Sequence, residues 1–513
     1  MSDQEVELKL ALDSRAAAKL RRDPSVHARK AGRAGTRRLV ATYFDTANCA
    51  LRDAGIALRI RREGRGRVQT VKARIGAEGS QKGGLQTRLE LNAPIAKAKP
   101  DLALISDAAL RARVQEVIGD QALVPLFTTD IKRTAWRLDL DGAAVELVLD
   151  IGAIEGNDKS VPVREAELEM LSGSPSALLA FASDLRERVP FRLSAQSKAA
   201  RGFALYRAQA RAPARHSLPD LDPQMSAHEA LSTLLHAAVG AMLANEADAI
   251  AGREPTGVHQ MRVATRRARA ALAAFQPVIA GKADRALIQQ LKWLRGSLGP
   301  ARDLDVFIDE TLAPVIADHP DHKGLRALAK RAEKRRRKAY KQVGAALNTA
   351  RYQQTLLGLE GWAFSDQLTA QAQPVTQIAQ QQLQARFQGV CDRAGADPTG
   401  LSVPELHALR LDIKTLRYAL EFFAGLYPAS ATAPFIKSAK KLQDCLGGLN
   451  DAAVAHEMLR DLAGGAKDPA KRLGRGTVRR IAAAQQEKTD AGLERLGKAW
   501  QRLQSQPRFW AGG

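Results

Sequence analysis

The segment Glu5-Val6-Glu7-Leu8-Lys9 alternates charged and apolar residues. In a strand, that spacing sends Glu5, Glu7 and Lys9 to one face and Val6 and Leu8 to the other. A strand with a polar outer face would look the same. Other alternating segments shift the balance. Arg59 and Arg61 share a face opposite Leu58 and Ile60, and Lys72, Arg88 with Glu90, Arg133, and Glu146 with Asp150 lie in further segments of the same kind. Glu165, Glu167 and Glu169 take alternate positions, so all three carboxylates line one face of one strand. Like charges in such a row are unfavourable unless a cation offsets them. Carboxylates able to hold Mg2+ or Mn2+, beside guanidinium and ammonium groups able to hold phosphate oxygens, suit metal-assisted cleavage of a triphosphate.

The elements that must position these groups follow from the same period. Alternation runs from EVELKLAL to PVREAELEML, interrupted by helical spacing at 14–22 and 101–118 and followed by helical spacing at 175–188 and 195–209. Charged faces turned inward predict an α+β domain over residues 1–209. Its expected core is a closed antiparallel β-tunnel of about eight strands with flanking helices. Residues 210–224 carry Pro213, Pro219 and Pro223 without a clear period and read as a linker. From 225 to 513 the chain is rich in Ala, Leu, Arg and Gln with helical spacing, and no strand is expected after Gln224.

That second half repeats itself. HQMRVATRRARAALAAF begins at His259 and HALRLDIKTLRYALEFF at His407; Asp303 and Asp451 follow at the same spacing of 148 residues. Two blocks with one offset predict an all-α domain of two repeated helical-bundle units. His259, Arg262, Arg266 and Arg269 form one stripe of a helix, with Met261, Ala264, Ala268, Leu272 and Phe275 opposite. His407, Arg410, Lys414 and Arg417 repeat it against Leu409, Ile413, Leu416, Leu420 and Phe423. Ordinary surface arginines are the plain alternative. No matched carboxylate or second histidine shares the face, which argues against a metal site there. Asp303 and Asp451 read as caps or ion-pair partners. The basic run Lys330–Tyr340 reads equally as anion surface or solvated helix.

The 513 residues carry a net charge of +23, which points to polyanionic partners. Aromatic residues make up only 5% and are not interleaved with the basic stripes, which argues against nucleic acid. Three dispersed cysteines fit neither a disulfide framework nor a cysteine metal site. The acidic start and the lack of a long apolar run lead to the expectation of a cytoplasmic protein without a membrane span.

The Glu5–Lys9 segment resembles the opening signature of the CYTH, or triphosphate tunnel metalloenzyme, superfamily. The resemblance covers about residues 1–205 and includes Tyr43-Phe44-Asp45-Thr46, Leu58–Arg61, Thr70-Val71-Lys72, Arg88-Leu89-Glu90, Arg133, Asp150, the Glu165–Glu169 strand and Ser197-Lys198. LQTRLELNAPIAKAKPDLAL is most similar to the family's bacterial inorganic triphosphatase branch. The resemblance implies hydrolysis of inorganic triphosphate. It makes Glu5 and Glu7 the first metal-binding pair and Glu167 and Glu169, with Asp150, the later acidic group, Glu165 substituting if the register shifts. Lys9, Arg59, Arg61, Lys72, Arg88, Arg133 and Lys198 match the residues that grip substrate. Lys9 is also a candidate general base, a role that needs a depressed pKa. Glu90 either orients Arg88 or forms a structural ion pair. Thiamine triphosphatase, adenylate cyclase-like activity and a weakly catalytic polyphosphate-targeting protein stay open. The duplicated helices resemble the CHAD family over roughly 225–505. This implies that long-chain inorganic polyphosphate binds at His259, Arg262, Arg266, Arg269, His407, Arg410, Lys414 and Arg417, with association to polyphosphate granules as a corollary.

Overall fold

The computed structural model describes residues 4–64, 66–73, 85–207, 217–279, 283–364 and 373–511. The chain divides into two compact units, one of residues 1–213 with 350–365, the other of residues 214–349 with 366–513.

The first unit holds strands β1 (Gln4–Ala11), β2 (Gly35–Asp45), β3 (Ile56–Glu63), β4 (Gly66–Ala73), β5 (Leu85–Pro94), β6 (Val124–Asp139), β7 (Ala144–Gly156), β8 (Lys159–Ser172) and β9 (Arg192–Leu193). They form one nine-stranded sheet in the order β5-β4-β3-β2-β6-β7-β8-β1-β9. Among the described residues, every pairing of these strands is antiparallel. β1 pairs with β5 along residues 4–8, so the first and last strands of the eight-strand run meet, and two-residue β9 occupies the rest of that β1 edge. The expected eight-strand tunnel is thus a nine-strand sheet with one short extra strand.

Alternation decides which way each side chain points. Leu58 and Ile60 of β3 and Val71 of β4 turn outward into a cluster with Leu51, Leu110, Val114 and Ile118. These come from helices α3 (Ala50–Asp53) and α4 (Ala108–Ile118), which follow α1 (Ser14–Leu20) and α2 (Pro24–Ala28). The intervening Arg59 and Arg61 must then face inward; a slip of one residue would exchange the two sets. Asp45 ends β2 and anchors α3, accepting from the backbone N–H of Leu51 and of Arg52, each at 2.9 Å.

The helix expected over 101–118 begins later. Asp101 caps only a short 3-10 turn, and Gln69 grips its backbone from both sides, at 2.7 and 2.8 Å. Asp107 is the cap of α4, accepting from Leu110 N at 2.8 Å. Helices α5 (Pro175–Arg188) and α6 (Lys198–Arg207) match expectation closely.

The second unit is helical: α7 (Ala227–Ala251), α8 (Thr256–Ala274), α9 (Ala283–Val306), α10 (Ala313–Asp318), α11 (Lys323–Leu347), α13 (Val375–Ala394), α14 (Val403–Phe423), α15 (Ala429–Cys445), α16 (Gly447–Leu462), α17 (Ala470–Leu473), α18 (Arg475–Leu493) and α19 (Leu496–Gln504). Its described residues contain no strand, only an isolated bridge between Ser226 and Pro374. Of the expected linker, residues 210–216 lie outside the described residues and 217–224 form no helix or strand. Helix α12 (Ala350–Ala363) departs from the sequence boundary: it belongs to the first unit and packs on α5, and Gln353 accepts from the β9 backbone at Leu193 at 2.8 Å. Among the described residues, no helix is long and apolar enough to cross a membrane.

Candidate active site and basic surface

A cavity of about 270 Å3 opens within the first unit, lined by Glu7, Lys9, Arg59, Arg61, Lys72, Arg133, Glu167, Glu169 and Lys198 among others. Those nine are all expected from the sequence. The same wall includes Arg37, Tyr43, Glu90, Asn92 and Glu146. Glu5 and Arg88 oppose each other in the β1–β5 pairing, but their side chains lie outside the described residues.

Strand register explains how distant residues converge. Lys9 lies opposite Glu167 and Glu7 opposite Glu169 across β1 and β8. Glu169 in turn faces Glu146, and Glu165 faces Asp150, across β8 and β7. Arg133 faces Asp150 across β6 and β7.

The cations are held by carboxylates. Lys9 donates to Glu167 at 2.7 Å and also to Glu7. Arg133 grips Asp150 through two nitrogens, at 2.7 and 2.6 Å, and reaches Glu167 at 3.0 Å. Lys198 meets Asp150 at 2.7 Å, Glu167 at 3.1 Å and Glu165 as well. Lys72 meets Glu90 at 2.6 Å, Arg59 lies 3.7 Å from the same carboxylate, and Arg61 pairs with Glu63. Glu90 therefore serves Lys72 and Arg59; the Arg88 side chain is outside the described residues. Among the described residues, Arg37 is the cavity cation with no carboxylate ion pair.

Burial alone would strip the charge from Lys9, but Glu167 and Glu7 outweigh it and raise its pKa above the ordinary lysine value. That is the opposite of the depression a lysine general base needs. Burial opposes ionisation of Glu167 too, yet Lys198, Lys9 and Arg133 hold it well below the usual carboxylate range. Glu169 behaves differently. Burial raises its pKa; Lys72 opposes this, and Glu146, Glu7 and Glu90 reinforce it.

Oxygen donors for a hard divalent cation are therefore present in two rows. Oxygens of Asp150, Glu165 and Glu167 lie within 4.8 Å of one another, close enough to hold one ion. Each of these acids already serves cationic side chains. The adjacent row of Glu7, Glu169 and Glu146 lines the cavity itself, and its mutual repulsion is what a bound cation would relieve.

In the second unit, both basic stripes reach one place. Met261, Ala264, Ala268, Leu272 and Phe275 of α8, and Leu409, Ile413, Leu416, Leu420 and Phe423 of α14, are all buried, which leaves the cations on the opposite faces. The guanidinium of Arg266 sits 5.4 Å from the Tyr418 ring centre and that of Arg417 at 4.9 Å, joining α8 to α14. Burial and the charges of Arg266, Arg410, Arg295 and Arg417 push Lys414 down to about 8. His259 is also held below its ordinary value, by burial and by Arg302, Arg266 and Arg262. A second cavity of about 220 Å3 is lined by His259, Arg262, Arg266, Arg302, Asp303 and Asp451, among others. The duplication extends to contacts: Arg262 lies 3.3 Å from Asp303, and Asp451 acts electrostatically on Arg410.

Residues 3–203 match the CYTH domain and residues 233–460 the CHAD domain. The chain carries a CYTH domain followed by a CHAD domain. An inorganic triphosphatase of Haemophilus influenzae is 30% identical over 165 residues, which is 32% of this chain and 45% of that protein. The chain thus spans less than half the length of that curated relative. The crystal structure of the CHAD domain from the plant Ricinus communis is 29% identical, covering 58% of this chain and 99% of its own, with a TM-score of 0.51. A putative adenylyl cyclase from Hippeastrum, described as having a dominant triphosphatase activity, is 22% identical, over 41% of this chain and 98% of its own. Its TM-score is 0.30, and that likeness carries no weight on function.

Within the CYTH domain, Asp150 and Glu165 sit behind the wall, gripping Arg133, Lys198 and Arg201, and are not among the cavity-lining residues. Arg37 is a cavity residue that sequence reasoning misses, and Glu146 is one that it places on the charged face without assigning a role. Glu146 is legible by alternation with Asp150. Arg37 is not, because Arg37-Arg38 breaks the alternation at the start of β2. Within the CHAD domain, Arg417 is bound by Glu421 and by Gln443, at 2.9 Å from the latter. The basic run of α11 is partly structural: Arg336 and Tyr340 hold buried Asp305, and Arg335 pairs with Asp461.

Proposed function

We propose that the CYTH domain is a metal-dependent inorganic triphosphatase that hydrolyses tripolyphosphate to diphosphate and phosphate. The observation that carries this reading is one cavity with a carboxylate row, Glu7, Glu169 and Glu146, facing a cationic wall that includes Arg59, Arg61 and Lys72. Glu7 and Glu169 with Glu146 or Glu167 would hold Mg2+ or Mn2+, with Glu5, two residues before Glu7 in β1, as a further candidate ligand. When bound, the ion supplies positive charge to phosphoryl oxygens and makes water easier to deprotonate. Arg59, Arg61, Lys72, Arg133 and Lys198 hold and orient the phosphate chain, and their carboxylate partners keep them aligned before substrate arrives. Lys9 donates to Glu7 and Glu167, so we assign it to positioning charge at the reacting phosphoryl group rather than to removing the proton of water. Water attacks the terminal phosphorus and the bridging P–O bond breaks, releasing diphosphate.

We further propose that the CHAD patch of Arg266, Arg410 and Lys414, with His259, Arg262, Arg269, His407 and Arg417 around it, binds long-chain inorganic polyphosphate. A cytoplasmic enzyme acting beside polyphosphate stores is the matching cellular setting. The test is a substrate panel of tripolyphosphate, ATP, thiamine triphosphate and long-chain polyphosphate with Mg2+ or Mn2+. Tripolyphosphate should be turned over fastest, and Glu7→Gln should lower that rate at least about 100-fold. An unchanged rate in Glu7→Gln would sink the site assignment.

A further inference from the structure

Arg37 differs from every other described cation of the tunnel. Lys9, Arg59, Arg61, Lys72, Arg133 and Lys198 each have a carboxylate within 4 Å, whereas Arg37 has no such ion pair among the described residues. It is exposed, and it lies where β2 passes from exposed residues, Gly35–Arg38, to the buried stretch beginning at Leu39. Its Cα partner across the sheet is Arg133. Arg133 is compensated by Asp150 and Glu167, so of this pair it is Arg37 whose charge is left for an anion.

Register also gives the span of the wall. Tyr43, whose hydroxyl accepts from Arg59 at 3.4 Å, lies on the same face of β2 as Arg37 and lines the same cavity. They are six positions apart in sequence, which in a strand is roughly 20 Å. A triphosphate, three tetrahedra joined at their corners, is much shorter than that. Arg133, opposite Arg37 on the backbone, is drawn to Asp150 and Glu167, whereas Arg37 stands unpaired among the described residues at the exposed end of the wall.

We infer that Arg37 is a specificity-determining residue that takes the phosphates beyond the third, so that the tunnel accepts the end of a longer inorganic polyphosphate chain and not only tripolyphosphate. This rests on the triphosphatase reading above. A free, exposed guanidinium suits that role, since it can grip two oxygens of a passing phosphate without first surrendering a carboxylate.

The test compares kcat/KM for tripolyphosphate and for long-chain polyphosphate, with Mg2+, in full-length wild type, Arg37→Gln and Arg37→Glu. The expected result is that Arg37→Gln loses about tenfold more on the long chain than on tripolyphosphate, mainly through KM, and that Arg37→Glu loses more still. Arg37→Lys should recover part of the difference. Equal losses on the two substrates would place Arg37 in the triphosphate cradle and overturn the inference, as would no loss on either. Wild type that releases no phosphate from tripolyphosphate would instead overturn the triphosphatase reading, a failure visible before any variant is compared.

Discussion

Lys414 offers a quantitative handle on the CHAD surface. It sits among Arg410 and Arg417 of its own helix, Arg266 of α8 and Arg295 of α9, and burial with these charges brings it from 10.5 to about 8. A polyphosphate strand laid over the patch replaces repulsion with attraction and returns the ammonium toward its ordinary value. Binding therefore takes up a proton wherever free Lys414 is neutral. With a pKa near 8, Lys414 is about nine-tenths protonated at pH 7 and about one-tenth at pH 9. The dissociation constant should therefore rise about tenfold between those two conditions, if the bound lysine stays charged throughout. Folding has the opposite dependence. The native state binds fewer protons than the unfolded chain between about 8 and 10.5, so without ligand stability rises with pH across that window. Isothermal titration of long-chain polyphosphate at pH 7 and pH 9, in buffers of different ionisation enthalpy, measures both the affinity ratio and the proton uptake. Internal phosphates of a long chain do not titrate there, and His259 is already depressed below this range. Lys414→Gln should flatten the dependence. A wild-type affinity that does not change from pH 7 to pH 9, or a Lys414→Gln variant that keeps the full slope, refutes the assignment.

A fragment ending at residue 213 should be much less stable than the CYTH domain in the full chain, because α12, with buried Tyr352, Leu356 and Leu359, is missing from it. Three such side chains at ~2 kcal/mol each amount to about 6 kcal/mol, comparable to a domain's whole stability; thermal unfolding of the two proteins checks this, and equal midpoints would count against it. Gly152→Ala places a Cβ 1.9 Å from the backbone oxygen of Asp130, so the β6–β7 pairing must shift; a loss of ~3 kcal/mol is expected in denaturant unfolding. Polyphosphate binding by the CHAD patch should weaken steeply with salt, whereas KM for tripolyphosphate should change less, since the tunnel cations are buried and already paired.

The tunnel wall is legible in the sequence because inward charge and outward Leu or Ile alternate residue by residue. Leu58-Arg59-Ile60-Arg61 can sit in only one orientation once α3 and α4 cover the outer face. The same rule fails where alternation lapses, as at Arg37-Arg38, and where partners are remote in sequence. Asp101 and Asp107 are both aspartates ahead of a helical stretch; only Gln69, far back on β4, determines that Asp101 caps a short turn. Periodicity misplaces helix α12 for a related reason. It shows that a helix has a buried face, not which core receives it, and α12 lies in sequence between two helices of the other unit. The KRRRK segment shows the limit of counting charges: Arg335 and Arg336 are bound by Asp461 and Asp305, which no local pattern announces.

What the structure adds is a distinction between two kinds of basic site that composition merges into one net charge of +23. In the tunnel, cations and carboxylates interlock. Lys198 alone touches Asp150, Glu165 and Glu167, so the side chains balance one another's charge and fix one another's positions. On the proposed reading, substrate with its metal would have to exchange into that network, which would favour a triphosphate end of defined charge. On the CHAD surface, Lys414, Arg266 and Arg410 have mainly one another, and the strain of that crowding is recorded in the lowered pKa of Lys414. Any flexible polyanion relieves it, with little demand on length. On the functions proposed above, selectivity for the triphosphate end would belong to the paired cations of the CYTH domain, and capacity for long chains to the Lys414, Arg266 and Arg410 group of the CHAD domain. Arg37 is of the unpaired kind but lies at the rim of the paired site, which is why it is the residue whose substitution separates the two.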